Sequence, residues 1–388
     1  MNFFNLFTNG FTWGTQFTSS SGNQFHSFSS NNFTPNNNFE DNELPPTIHE
    51  FELPVDVDTL RFCSSGSSGY SGYLHIKQSD DISDNIQVEV VVSLLQAGQP
   101  GINVERRVGG RQACIDIRTE ARAFFFGRCP HVAITACFPK SATSNPNAPL
   151  KIRRLESNFH SLDHRIDDLT VRMESYELLS HSGDFHIDGI HATEGRIEAH
   201  SGNIYGSFYA TSELSLHTHS GRIKTESVIL ENTQSNGAAR LKMSVHSGDV
   251  MAQAITLLST ASSGGHYSLH TSSHSGNVYC GVVYAPVDAV IHMKAFSHSG
   301  SVNASLPNTF EGSFKVNTQI SVPSVSEANS NELDPSGEDR TRVLQVKNNI
   351  NHFPIGGERS GWVFWSTDGK ERGSVKMWAH SGSARLNF

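Results

Sequence analysis

The chain has 388 residues, a formal net charge of −9 and a hydrophobic fraction of 36%. That charge, without any basic cluster, argues against nucleic acid or an anionic membrane as partner. No apolar run approaches the roughly 20 residues that span a bilayer, so no membrane span is expected.

Residues 1 to 45 differ in composition from the rest. No Asp, Glu, Lys or Arg precedes Glu40, and nine Phe lie among Asn, Ser, Thr and Gly without a period. This reads as a disordered low-complexity tail, passive in the plainer reading and weakly self-associating through its spaced Phe side chains in the sharper one. The first ten residues carry no Lys or Arg and no apolar core, so no export signal is read, which favours an intracellular place.

From His49 to Pro139 the pattern is strand-like. Ile86, Val88, Val90, Val92 and Leu94 alternate with polar or outward positions, as do Ile115 with Ile117 and Val132 with Ile134 and Ala136. The Ser- and Gly-rich run from Cys63 to Gly72 reads as a loop. Residues 46–149 thus read as a β-rich region that starts or caps the rest of the fold, with 140–149 as a linker.

Beyond residue 150 one tripeptide keeps returning. It stands at His181-Ser182-Gly183, His200-Ser201-Gly202, His219-Ser220-Gly221, His246-Ser247-Gly248, His274-Ser275-Gly276, His298-Ser299-Gly300 and His380-Ser381-Gly382. The first two intervals are 19 residues and the next three are 27, 28 and 24. Two residues after each Gly comes an apolar side chain: Phe185, Ile204, Ile223, Val250, Val278, Val302, Ala384. Three before each His stand Leu178, Ile197, Leu216, Met243, Ala295 and Met377, with Thr271 breaking the series. Apolar positions in steps of two mark strands with one buried face.

Each unit therefore reads as strand, sharp bend, strand. Gly tolerates a backbone that a Cβ resists, and Asp184, Asn203, Asp249 and Asn277 after it suit a turn. A unit this short buries its apolar face only by stacking on copies of itself. The expected fold is all-β: a right-handed parallel β-helix, or β-solenoid, over residues 150–388. The tripeptide forms one corner, and the extra residues of the longer units loop out at another. An antiparallel β-sandwich is the runner-up, but it leaves the single type of bend unexplained. Residues 323–340, acidic and rich in Ser and Asn, read as an inserted surface loop. Residues 362–388, with three of the four Trp, read as closing rungs.

A strand, then Ser-Gly-Asp or Ser-Gly-Asn, then Val or Ile, repeated at about this spacing, resembles the family known as "putative adhesin". The stretch Phe51-Glu52-Leu53-Pro54-Val55, with the Gly-rich turn and Val-rich strand after it, is similar to the usual opening of such domains. The His before each Ser-Gly resembles fungal members of unknown function. The resemblance covers roughly residues 48 to 388. It implies a right-handed β-helix and surface adhesion, and no catalytic residue or cofactor. A surface adhesin needs an export signal, and here the sequence departs from the pattern.

Twenty His is a high number for this length. One alternative is a metal-binding His ladder, with imidazoles on adjacent rungs sharing a Zn or Cu ion. No Cys or carboxylate recurs beside them as a further ligand. The plainer reading is corner side chains that stack on one another. A second alternative is a β-helix enzyme acting on polysaccharides, with Asp163, His164, Arg165, Asp167, Asp168, His186 and Asp188 as its nearest acids and bases. Asp-rich segments between strands are more often turns. A Ser-His pair such as His219 with Ser220 is a poor nucleophile, because neighbours in a strand point to opposite faces. No P-loop, Gly-x-Ser-x-Gly or His-Glu-x-x-His occurs. Cys63, Cys114, Cys129, Cys137 and Cys280, odd in number and without CxxC spacing, read as buried free thiols. The expectation is a non-enzymatic structural or binding protein with no cofactor or metal, presenting an extended β-surface to a protein or glycan.

Overall fold

The computed structural model describes residues 44–388, apart from 67–68, 95–100, 120–128, 234–236, 261–262, 328–332 and 353–354. The reading of residues 1–45 as a disordered tail, passive or weakly self-associating, falls outside the described residues, Leu44 and Pro45 excepted. The described chain is all-β. Twenty-four strands join in one mixed sheet, and the short turn Thr367–Glu371 is 3-10 helical.

The repeats pair in parallel. Leu162–Ser180 pairs with Phe185–Ala199, and that strand pairs with Ile204–Thr218. Beyond them each unit divides into two strands. Ile223–Asn232 and Ala239–Val245 are followed by Val250–Ser259 and His266–Ser273, then by Val278–Tyr284 and Val290–Ser297. The apolar offsets of the sequence become columns. Phe185, Ile204, Ile223, Val250, Val278, Val302 and Ala384 are each other's register partners in turn, and all are buried. Leu178, Ile197, Leu216, Met243, Thr271, Ala295 and Met377 form a second buried column. Thr271 keeps its place in that column. Each fully buried Val, Ile or Leu contributes about 1.5–3 kcal/mol, so the columns carry much of the stability.

The length differences sit where one unit's two strands meet. Residues 233–238, 260–265 and 285–289 separate the paired strands of the longer units. In the 19-residue units a bulge does the bending instead, between Ile187 and Ile190 and again between Ala192 and Glu194.

The parallel stacking starts earlier than the tripeptide suggests. Thr59–Gly66 pairs in parallel with Lys151–Phe159, and Ser71–Gln78 with Leu162–Ser180. The run from Cys63 to Gly72, expected as a loop, instead gives strand at both ends. Those first strands also pair on their other edge with Gln112–Thr119 and His131–Phe138. So the first strands lie between a later rung and the repeats. The other end does the same. Gly373–Ala379 lies between Val290–Ser297 and Gly312–Thr318, both in parallel. The C-terminal segment therefore fills the last rung but one. Within residues 323–340, Ser324–Ser326 pairs with Ala384–Asn387 and so belongs to the sheet.

Antiparallel strands close both ends. Ile102–Gly109 covers Gln112–Thr119, and Asn85–Ser93 covers His131–Phe138 with Thr47–Pro54 outside it. Ile355–Phe364 covers Gly312–Thr318, and Val343–His352 lies outside that. The outer strands carry charges, Glu50 and Glu52, Arg106 and Arg107, and Lys347, which discourage edge-to-edge pairing with another chain. The carboxylate of Glu311, only 2% exposed, anchors the far end. It accepts from the Trp365 and Ser366 backbone N–H groups at 2.6 and 3.1 Å and pairs with Arg372.

The register makes one contrast testable. Val278→Asp places an unpaired charge in the first column and should destabilise by about 4 kcal/mol or more. Arg222→Ala removes a side chain that is 51% exposed, and should change stability by about 0.5 kcal/mol. Equilibrium denaturation of the two variants checks this.

Candidate functional site

The tripeptide corner is built from stacked columns. At the Gly the reason is contact. A Cβ added at Gly202 lies 2.0 Å from the Gly183 carbonyl oxygen. At Gly221, Gly248, Gly276, Gly300 and Gly382 the carbonyl of the glycine one rung below lies at 2.0–2.2 Å in the same way. Among these seven glycines only Gly248 has a positive φ, +152°. Close approach of backbone to backbone, and not the expected freedom of φ, selects Gly here.

The residue before each His is buried, and where it is polar it serves that carbonyl. The Thr218, Ser273 and Ser297 hydroxyls donate to the Gly202, Gly248 and Gly276 carbonyls, each at 2.7 Å. The corner Ser gives its backbone N–H to the His carbonyl below, from Ser201 on His181 at 2.8 Å to Ser381 on His298 at 2.9 Å. After the Gly, the turn side chains also link rungs. Asp163 accepts from the Asp184 N–H at 2.9 Å, Asp184 from Asn203 at 2.7 Å, and Asp249 from Asn277 at 2.8 Å.

These bonds fix the His backbone, and the rings follow. His181, His200, His219, His246, His274, His298 and His380 form one continuous stack. Ring centroids are 4.5–4.9 Å apart and planes lie within 14° of parallel. His160 adds an eighth ring, 4.6 Å from His181. Sequence reasoning missed it because Leu162 stands where the Gly belongs. The signal was His160-Ser161, 21 residues ahead of His181. Neutral residues end the stack. At one end the register of Thr59–Gly66 runs to Cys63 opposite Asn158, two residues short of Ser65 and His160, and at the other Gln319 takes the next His position, its N–H reaching the Ala379 carbonyl. At the His160 end the column lines a groove of about 780 Å³ with Ser64, Gly66, Asn158, Glu198 and His217.

The stacked rings do not form a chelate. Ring lone pairs lie in the ring planes, so parallel rings aim them side by side. One Zn ion with two imidazole ligands holds the nitrogens within about 4.2 Å and needs them convergent. Among the described residues no group of three or more His, Cys, Asp or Glu converges on one point.

Six of the seven candidate acids and bases lie on the outward side of the paired strands Leu162–Ser180 and Phe185–Ala199, where His186 is the register partner of Arg165 and Arg165 lies 3.7 Å from Asp167, while His164 points inward. Asp163 and Arg165 are exposed, while His164 between them is fully buried. His164 stacks on Phe185 at 4.4 Å, and its Nε2 lies 2.7 Å from the Ser157 hydroxyl. Burial lowers its pKa to about 3. Asp167 pairs with His75 at 2.9 Å, Asp168 packs against Gly189, and His186 stacks on Tyr205 at 5.2 Å. Asp188 stays exposed on the outer face. His219 and Ser220 form no Ser-His bond among the described residues. Of the five thiols, only Cys280 is buried as expected. Cys63, Cys114 and Cys137 are half-buried and Cys129 is exposed. Cys63 and Cys114 lie 3.5 Å apart as free thiols on paired strands.

Among the described residues no helix is long and apolar enough to cross a membrane. The family model for a domain of unknown function, DUF7330, matches residues 209–344. No curated protein matches the chain. Among solved structures the chain is similar to a putative adhesin from Parabacteroides merdae ATCC 43184. The TM-score is 0.37 and the identity 9%, covering 67% of this chain and 89% of that one. It is similar to a putative adhesin from Parabacteroides distasonis ATCC 8503, with TM-score 0.38 and 12% identity over 67% and 90%. A putative cell adhesion protein from Clostridium sporogenes ATCC 15579 gives TM-score 0.23 and 8% identity over 88% and 99%.

The imidazoles predict an acid-sensitive fold. His164 is held neutral by burial; His181 and His219 have lowered pKa values, from lost hydration first and then from the like charge of neighbouring rings. The unfolded chain titrates near 6.5, so below that pH it binds more protons than the folded one. Stability should be flat above about pH 7 and fall as pH drops from about 6.5 toward 3. Most of the slope, up to about 1.4 kcal/mol per pH unit, belongs to buried His164. Denaturant midpoints from pH 8 to pH 5 check this. His164→Phe should flatten the curve strongly, and a His200→Gln, His219→Gln, His246→Gln variant only slightly.

Proposed function

We propose that the chain is a right-handed parallel β-helix acting as a non-enzymatic, adhesin-like binding or structural protein. Right-handedness follows the strong general preference of parallel crossovers. The observation that carries the functional reading is a contrast on one surface. The candidate acids and bases are tied up locally, Asp167 by His75 and Arg165, Asp163 by the Asp184 N–H and His186 by its stack on Tyr205, while the corner runs in register across eight stacked rings. Such a surface suits extended contact with a protein or glycan. The adhesin-like part rests on the Ser-Gly repeat, and the likeness to fungal members on the His before it. The seven tripeptides, His181 to Gly183 through His380 to Gly382, act as structural corners with no metal and no catalytic role.

The test is to incubate the full chain with linear polysaccharides and surface proteins and to follow capture and polymer length together. The expected result is binding with polymer length unchanged. New reducing ends would replace this reading with an enzyme.

A further inference from the structure

We propose that the histidine-serine strip is a binding site for a linear acidic glycan, filled as the imidazoles take up protons. This deepens the binding reading above and rests on it.

The strip has unspent hydrogen-bonding capacity in a regular array. Among the described residues no ring nitrogen of the eight stacked histidines is hydrogen-bonded within the chain. The hydroxyls of Ser182, Ser201, Ser220, Ser247, Ser275, Ser299 and Ser381 are equally free of partners, and these serines are all exposed. The ring faces are covered by one another, so a ligand meets ring edges, which donate and accept hydrogen bonds. Each rung of 4.5–4.9 Å thus exposes one imidazole edge, with one unpaired hydroxyl on the next residue along the chain. An extended chain of uronic acids advances by a similar step per sugar, and each sugar carries one carboxylate beside free hydroxyls.

Charge decides the class of polymer. Around the groove, Glu198 is held by Arg196 at 2.6 Å, and His217 lends its Nδ1 to the Ser244 hydroxyl at 2.8 Å. On the other side of the tripeptide Asp163, Asp184 and Asp249 are engaged with the next rung, and Asp249 also with Arg222 at 3.2 Å. At the far end Glu358 is paired with Lys315 at 2.7 Å. Among the described residues no Lys or Arg lines the groove. Within the described lining the attraction for an anion is therefore switchable and comes from imidazolium, with Arg222 beside the corner tied to Asp249 and Arg118 beyond Ser65 tied to Asp116. Nucleic-acid grooves use Lys and Arg, which stay charged, and free aromatic faces for the bases. This column has neither. A polycarboxylate laid along it places an anion opposite each ring and relieves the repulsion between neighbouring imidazolium ions. Binding and protonation then favour each other, so affinity rises as pH falls through the imidazole range.

The test is titration calorimetry of the full chain with polygalacturonate, neutral dextran and oligothymidylate at pH 7.5 and pH 5.5. Polygalacturonate should bind at least tenfold more tightly at pH 5.5, and dextran should not bind. A His181→Gln, His200→Gln, His219→Gln variant keeps hydrogen-bonding side chains without the charge, and should lose tenfold or more at pH 5.5. Changing Ser182, Ser201 and Ser220 to Ala should weaken binding several-fold. Absence of binding at pH 5.5, binding indifferent to pH, or tighter binding of oligothymidylate overturns the proposal. Undiminished binding by both variants overturns the strip while leaving an extended binding surface elsewhere. Shortening of the polymer overturns the non-enzymatic reading itself.

Discussion

The close approach of one glycine to the carbonyl of the glycine below it is the contact on which the rest of the corner depends. With Cβ positions only 2.0–2.2 Å from that oxygen, no other residue fits without moving the rung. The approach holds the rungs at strand spacing at the point where the chain turns. Given that spacing, the backbone N–H of each corner Ser reaches the His carbonyl beneath it, and the preceding Ser or Thr hydroxyl caps the Gly carbonyl. The imidazole stack is then a consequence. Side chains of one type, repeated on backbones held this way, are brought to ring-stacking distance. The columns of Val, Ile, Leu and Met on the inner side do the same work through burial.

The sequence was most legible where chemistry repeats with the fold. Phe185 through Ala384 and Leu178 through Met377 were readable as buried columns, since period-two apolar residues flank a fixed marker. Thr271, which broke the series, is fully buried in the same column, because position in the register outweighs polarity when the neighbours are Met243 and Ala295. His160 was hidden by Leu162. The corner at Ser65-Gly66 was hidden inside a Ser- and Gly-rich run, where composition says turn whether or not a strand passes through it. The reason for the corner Gly was also hidden, because a contact with another rung leaves no local trace in the sequence.

Rung order was not legible at all. Sequence spacing records order along the chain, whereas Thr59–Gly66 and Gly373–Ala379 each lie between strands that are distant in sequence. The 79 residues between the last two tripeptides therefore look like an insertion but include the final rung, Gly312–Thr318, and its antiparallel cover. Filling a rung between two others delays those contacts until both neighbours are in place, which makes folding of the C-terminal end dependent on non-local pairing. The antiparallel covers meet a separate need, since a parallel stack left open at either end offers free N–H and C=O groups to any passing strand.

The central claim, that glycine contact and not histidine stacking sets the corner, is tested most directly by comparing two neighbouring substitutions in one rung. Thermal and denaturant unfolding of Gly276→Ala and His274→Ala would be measured at pH 8, where the imidazoles are neutral. The account predicts a loss of about 3 kcal/mol for Gly276→Ala, whose Cβ meets the Gly248 carbonyl, and about 1 kcal/mol or less for His274→Ala, whose ring is exposed. A larger loss for His274→Ala than for Gly276→Ala would contradict it.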